Sequence, residues 1–428
     1  MTTATLERTT TTDAASSHIA GLRCRACGRP EEIGPNFVCA ACFGPLEVAY
    51  DYDVARERLT REAIAARAPG IWRYLELLPV DAAPARGLAV GSTALVDASR
   101  LAAELGIAKL HLKDDTRNPT LSFKDRVVAV ATARAVEFGF DTIACASTGN
   151  LAGATAAAAA AAGLRAFVFV PSDLEPAKID HALSYGATVV RVDGTYDDIN
   201  RLGLEIADEE GWAFVNVNLR PFYAEGSKTL AFEIAEQLGW RLPDVLVGPI
   251  ASGSLFTKVA KGFDELATIG LVERKEVRFV GGQPAGCSPV ATAWTSGGEI
   301  VPVRQPDTIV RSLAIGSPAD GAYAIDLARK TGGSIEAVED LRTAATIRRV
   351  AAAEGIFVET AGGVTVAAAQ QAREQGIIRD GDEVVALLTG NGLKTPDARR
   401  FGIDEAEIAP APPIAPTYRE FAAHYPTS

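Results

Sequence analysis

Lys124 lies in the segment DDTRNPTLSFKDR (114–126), where the turn Asn118-Pro119-Thr120 and a capping Ser122 predict a helix with this lysine in its first turn. A helix N-terminus carries partial positive charge, so an amine there is easier to deprotonate, and a neutral lysine is the nucleophile that Schiff-base chemistry needs. A surface lysine paired with Asp125 fits this segment equally well. Three further segments put small residues where a strand runs out. In CASTGNLAGATAAAAAAAG (145–163), Ser147, Thr148, Gly149 and Asn150 offer donors at a helix start, which makes either an anion site or an ordinary cap. In VLVGPIASGSLFTK (245–258), the loop Ile250-Ala251-Ser252-Gly253-Ser254 can wrap a phosphate with backbone amides. It lacks both the Gly-Lys-Ser/Thr ending of Walker A and the three spaced glycines of the dinucleotide fingerprint. In VVALLTGNGLK (384–394), Thr389 follows an apolar run; its hydroxyl can bond a ring nitrogen without imposing a charge, or serve only a strand-end turn.

Cys24, Cys27, Cys39 and Cys42 form two Cys-x-x-Cys pairs, eleven residues apart, while Cys145 and Cys287 are isolated. In a chain without an export signal this spacing indicates a metal knuckle more than disulfides, and four thiolates suit one tetrahedral zinc. So short a module needs such a staple to fold. Its Arg23, Arg25 and Arg29 are offset by Glu31, Glu32 and Glu47, so no basic face results, and a structural or docking appendage is expected rather than a nucleic-acid reader. None of the four histidines lies in an HExxH or near a GxSxG elbow, which removes the usual handles of zinc hydrolases and α/β-hydrolases.

The elements that must position these residues alternate. Apolar, β-rich runs at 109–112, 142–146, 166–170, 187–192, 213–217, 244–248, 277–282 and 383–388 are separated by Ala/Leu/Glu-rich helical stretches. That pattern predicts an α/β fold with parallel sheets covered on both faces, whose ligands bind at the carboxyl ends of the strands. A length of 428 residues suggests two or three domains, and 48% hydrophobic against 22% charged residues is ordinary for a globular protein. The net charge of −12 argues against nucleic acid as a partner. Residues 142–164 carry no charge but are mostly alanine with Ser147, Thr148 and Asn150 among them, too weakly apolar for a membrane span. The Thr-rich start has no apolar core, so the expected location is the cytoplasm.

Taken together, NPTLSFKDR, ASTGN, the small-residue loop and TGNGLK occur in the order seen in fold-type II pyridoxal-phosphate enzymes. GSTALVDASRLA, PAKIDHALSYGA, EGSKTLAFEIAEQLGW, QPAGCSPV, SLAIGSPADG and the four-cysteine head resemble the threonine synthases within that group. The resemblance spans about residues 20–400 and implies two doubly wound parallel-sheet domains with a zinc-ribbon-like N-terminal module. The expected division is a flexible tail 1–19, the four-cysteine module 20–50, a large cofactor-binding domain 51–127 plus 210–408, a smaller α/β domain 128–209 and a Pro-rich tail 409–428. It also implies pyridoxal 5′-phosphate as cofactor, with a structural zinc besides, and a homodimer.

By the same resemblance Lys124 carries the cofactor, Phe123 packs beside it, Asn150 bonds the 3′-oxygen and Thr389 the pyridine nitrogen. Ser147, Thr148 and Lys178 would hold the carboxylate and phosphate of O-phospho-L-homoserine, with L-threonine and phosphate as products. Two departures stand out. The family often has Gly-Asn-Ala/Gly-Gly-Asn in the phosphate loop where this chain has residues 250–254, and Tyr223-Ala224 occupies the place of a substrate-phosphate arginine that Arg220 would replace. The alternatives are an ammonia-lyase for threonine or serine, an O-phosphoserine-using enzyme such as cysteate synthase, and a non-catalytic zinc-ribbon adaptor.

Overall fold

The computed structural model describes residues 17–147, 149–172, 174, 176–194, 196–404 and 413–425. Thr148, residues 1–16 of the expected N-terminal tail, and residues 405–412 and 426–428 at the C-terminal end lie outside the described residues. Among the described residues, thirteen strands form three sheets. β1 (Ile19–Cys24), β2 (Pro30–Glu31) and β3 (Leu46–Tyr50) make a small antiparallel sheet in the order β2-β1-β3. β6 (Thr142–Ala146), β7 (Arg165–Pro171), β8 (Thr188–Val192) and β9 (Ala213–Phe214) pair in parallel in the order β8-β7-β6-β9. β4 (Leu95–Asp97), β5 (Lys109–Asp114), β10 (Val245–Pro249), β11 (Arg278–Pro284), β12 (Ser334–Val338) and β13 (Glu383–Leu388) form the largest sheet, ordered β12-β11-β10-β13-β5-β4.

The central strands β6, β10 and β13 are buried along their whole length, as continuous apolar runs covered on both faces should be. Two sequence expectations need correction. The largest sheet is not wholly parallel, because β4 joins β5 antiparallel at the edge. The run 213–217 is a strand only over Ala213–Phe214, since the Asn216 side chain takes over the pairing: its Oδ1 accepts from Ala146 N at 3.2 Å and its Nδ2 donates to Ala146 O at 3.3 Å. β12 and β4 escaped the sequence pattern, being short and mixed in polarity.

Each large sheet reverses its winding once. In one, the chain moves outward from β6 through β7 to β8, then returns to add β9 on the other side of β6; in the other it moves from β10 through β11 to β12 and returns with β13 beside β10. Connections leaving neighbouring strands on opposite faces open a crevice at the carboxyl ends, where ligands bind. Here β6 ends in Ser147 and Asn150, β9 leads into Asn216, β10 ends in the loop 250–254 and β13 in Thr389, and residues from all four strand ends line one cavity.

Candidate active site

The cavity holds about 360 Å³. Lys124 is half-buried in its wall and is the first residue of the helix Lys124–Glu137. That helix begins differently from the sequence expectation: its N-cap is Phe123, without a side-chain cap bond, rather than Ser122. Asp125 does not pair with Lys124. Its carboxylate accepts from Thr120 N at 2.7 Å and Thr120 Oγ1 at 2.6 Å, which closes the preceding turn. The Phe123 N–H donates to Thr389 O at 2.9 Å, so the Lys124 helix is joined directly to the end of β13.

Two residues beyond Lys124, Arg126 is fully buried and anchors the helix. Its guanidinium reaches Asp115 at 2.6 and 2.8 Å, both oxygens of Glu233 at 2.8 Å, Thr93 at 2.9 Å and Thr229 at 3.1 Å. Burial alone would raise the Glu233 carboxyl, but Arg126 and Lys113 hold it down at about 2. With every partner paired, such a network specifies position strongly, and the Lys124 backbone is fixed two residues away.

Burial lowers the pKa of the Lys124 amine below the ordinary lysine value, which favours the neutral form that acts as nucleophile or base. Its Nζ donates to the Tyr223 hydroxyl at 2.9 Å, and burial pushes that phenol up, so it stays protonated at neutral pH. Lys124 Nζ also lies 5.1 Å from the Phe123 ring centroid. The buried thiol of Cys145 is pushed up to about 12 by burial, which makes it an inert core group.

Around Lys124 the cavity gathers Phe123, Ser147, Asn150, Ala251, Ser252, Gly253, Ser254, Arg220 and Thr389, all singled out from sequence. Ile250 is not part of the lining; its side chain is fully buried and its N–H is spent on Gly282 O at 2.8 Å. Lys178 is buried on the helix Pro176–Leu183 and does not line the cavity, although a methyl group on Gly149 would come within 3.5 Å of its Nζ. Thr148 is outside the described residues. Ser147 Oγ accepts from Gly149 N and Ala152 N, each at 3.0 Å, so it caps the helix Asn150–Ala162. Arg220 Nη2 pairs with Asp320 Oδ2 at 2.7 Å.

Sequence reading missed Glu359, Tyr223 as a partner of Lys124, and Phe37. Both oxygens of Glu359 accept from Asn150 Nδ2 at 2.9 Å. Glu359 N-caps the helix Thr360–Glu374, and its N–H donates to Gly390 O at 2.9 Å, a contact between segments distant in sequence that no local motif announces. Phe37 comes from the four-cysteine module and lines the same cavity.

The residues present fit pyridoxal phosphate. The loop 251–254 runs into the helix Ser254–Thr268, whose first N–H groups have no partner within the helix. Gly253 has φ +94°, and a Cβ there would meet Asp320 O at 2.7 Å, so this close approach of backbone to the cavity needs glycine. Ser312 Oγ, also at the lining, is buried without a hydrogen-bond partner among the described residues. A ring and a phosphate ester have donors to meet on both sides.

The four cysteine sulfurs lie within 4.8 Å of one another, with Cys24 and Cys42 3.5 Å apart and Cys27 and Cys39 3.8 Å apart. A tetrahedron of Zn–S bonds has sulfur–sulfur edges of about 3.8 Å, so this cluster is compatible with zinc. Gly44 leaves the space it needs, since a Cβ there would lie 2.9 Å from Cys24 Sγ.

No helix among the described residues is long and apolar enough to cross a membrane. Residues 87–390 match the family described as pyridoxal-phosphate dependent enzyme. The chain is 36% identical to a threonine synthase of Methanocaldococcus jannaschii over 379 residues, covering 88% of this chain and 93% of the relative. It is 35% identical to a threonine synthase of Methanosarcina acetivorans over 381 residues, covering 88% and 92%. The solved structure of a fungal L-serine ammonia-lyase from Rhizomucor miehei shares the fold, with a TM-score of 0.63 and 21% identity over 73% of this chain and 99% of that one. With the lysine, the small-residue loop and the strand-end crevice assembled in one cavity, the chain belongs to the pyridoxal-phosphate dependent enzymes of fold type II.

Proposed function

We propose that the protein converts O-phospho-L-homoserine and water to L-threonine and phosphate. The observation that carries this reading is the placement of Lys124, an amine with a depressed pKa, in one cavity with the cation Arg220. A lysine alone would serve many substrates; the added cation favours one with a phosphate ester. The names of the relatives support the same choice. Bound pyridoxal phosphate would supply the electron sink that makes the substrate Cα–H acidic. Lys124 would hold the cofactor covalently until substrate displaces it, and its neutral amine would then move protons between Cα and Cβ. The Tyr223 hydroxyl keeps that amine aimed into the cavity. Asn150, steadied by Glu359, and Thr389 would bond the cofactor ring, and the amides of 251–254 its phosphate. Ser147 would face the carboxylate end. Arg220 would hold the γ-phosphate, which leaves as its C–O bond breaks, after which water adds at Cβ.

The zinc in the four-cysteine cluster, a homodimer and a cytoplasmic location belong to the same proposal. The test is to incubate purified holoprotein with O-phospho-L-homoserine and assay phosphate and threonine. Equimolar release of both is expected. Ammonia from threonine or serine without phosphate release would move the reading to an ammonia-lyase. Failure to take up added pyridoxal phosphate would overturn it in favour of an adaptor. Lys124→Ala is expected to lose the long-wavelength absorbance of the lysine-linked cofactor and to cut turnover by about a thousandfold or more.

A further inference from the structure

The four-cysteine module does not hang from the body of the enzyme. Phe37, between its two knuckles, lines the cavity. Arg25, between Cys24 and Cys27, donates from Nη1 to Asp320 Oδ1 at 2.8 Å, while Arg220, in the cavity wall, donates from Nη2 to Asp320 Oδ2 at 2.7 Å. Asp320 is only 3% exposed, so two guanidinium groups share one buried carboxylate and the trio carries a net positive charge. Arg25 is held on its other side by the Tyr323 ring, 3.7 Å from its centroid. Glu47, 4.0 Å from Arg25, does not cancel it, because Glu47 is shared with Lys258 and Lys261 at 3.1 and 3.8 Å. Asp320 is also tied to the small-residue loop: its N–H donates to Ser252 O at 2.8 Å, and its carbonyl oxygen fills the space beside Gly253.

We propose that Arg25 is a positioning residue for phosphate recognition: by engaging Asp320 from the module side, it leaves Arg220 a net cation at the cavity, available to a phosphate monoester. Without Arg25, Asp320 would neutralise Arg220 alone and draw its guanidinium away from the ligand. The module thereby sets anion affinity at a site to which it contributes no direct phosphate contact. This deepens the reading above and rests on its phosphate-ester substrate. The phosphate monoester has two sources, the substrate and the cofactor, and the test separates them.

The holoenzyme and its Arg25→Gln, Arg25→Lys, Arg220→Gln and Arg25→Gln/Arg220→Gln variants would be titrated with inorganic phosphate by calorimetry, and KM and kcat for O-phospho-L-homoserine measured alongside. The apoproteins would be titrated with pyridoxal phosphate. Arg25→Gln is expected to weaken phosphate binding and raise KM about five- to tenfold with kcat nearly unchanged, the size of a charge-assisted contact at a partly solvated site. Arg25→Lys, which keeps the charge, is expected to recover most of that loss, and Arg25→Gln is expected to add nothing once Arg220 is Gln. A shift confined to pyridoxal-phosphate affinity would support the proposal with the cofactor as the phosphate source. Unchanged affinities for all three ligands, or a full additional loss in the double variant, would overturn it. Should Arg25→Gln disturb the module, Tyr323→Leu loosens Arg25 without touching the knuckle, and the same weakening is expected; its absence counts against the proposal. If the wild type does not turn over O-phospho-L-homoserine, the substrate reading fails, while the phosphate titrations still decide the role of Arg25.

Discussion

Lys124 owes its chemistry to two neighbours in sequence that point elsewhere. Asp125 turns back to Thr120 and Arg126 plunges into the buried acids Asp115 and Glu233, which leaves the lysine alone to face the cavity. A carboxylate beside it would have held the amine protonated; burial does the reverse. The neutral amine is the form that attacks the cofactor aldehyde, so the rate at which apoprotein takes up pyridoxal phosphate is expected to rise with pH and to level off at a midpoint below 10.5, the ordinary value. Stopped-flow absorbance across pH 6–11 checks this, and a midpoint at or above the ordinary value would remove the argument. The same sign holds for stability. The unfolded chain binds the Lys124 proton more readily than the apoprotein, so this residue costs stability as pH falls below the unfolded value.

At the scale of elements, the loop between β10 and its helix would wrap a phosphate only through one backbone conformation. Gly253 at φ +94° lets the chain turn into the helix while pressed against Asp320. Gly253→Ala combines a strained left-handed backbone with a clash against a carbonyl oxygen, and a cost of about 1–3 kcal/mol is expected. Because the displaced atoms are the loop amides, affinity for pyridoxal phosphate is expected to fall about tenfold or more, together with a lower melting temperature of the apoprotein. A variant with normal cofactor affinity and only a lower melting temperature would mean that the loop amides do not hold the phosphate.

At the scale of the whole molecule, a buried charge network joins the small N-terminal sheet to the body. Glu225 meets Lys228 and Lys258 at 2.6 Å and Lys261 at 3.1 Å, Glu265 meets Lys228 at 2.7 Å, and Tyr50 of β3 donates to Glu225 at 2.9 Å. Burial by itself would raise the Glu225 carboxyl, but Lys228, Lys258 and Lys261 hold it well below the usual range. Its folded pKa is therefore below its unfolded one. The stability it contributes is present above about pH 4.5 and is lost as pH falls through the folded value. Lys228→Met takes from Glu225 and Glu265 the buried cation they share, and a loss of about 3–5 kcal/mol is expected in urea unfolding of the apoprotein. An unchanged midpoint would mean that Lys258 and Lys261 suffice. Chelation of the metal proposed for the cysteine cluster is expected to expose residues 20–50 to limited proteolysis, with the body intact.

The chemistry-bearing segments were legible because each is local. A lysine after a turn, small residues after an apolar strand and paired cysteines keep their meaning over a dozen residues, and the parallel sheets follow from continuous apolar runs. What the sequence could not determine was which distant groups meet. Asn150 against Glu359, Lys124 against Tyr223 and Arg25 against Asp320 are 209, 99 and 295 residues apart. Such pairs are set by where two sheets reverse their winding and by how the cysteine module docks. Ile250, expected among the phosphate contacts, is buried because its N–H extends the β10–β11 pairing to Gly282 O. Phe37 came from a module that looked like an appendage, since nothing in a thirty-residue stretch states which surface it will cover. Local spacing decides what a residue type can do, and tertiary packing decides whom it does it with, because contact between remote segments depends on the summed geometry of every element between them.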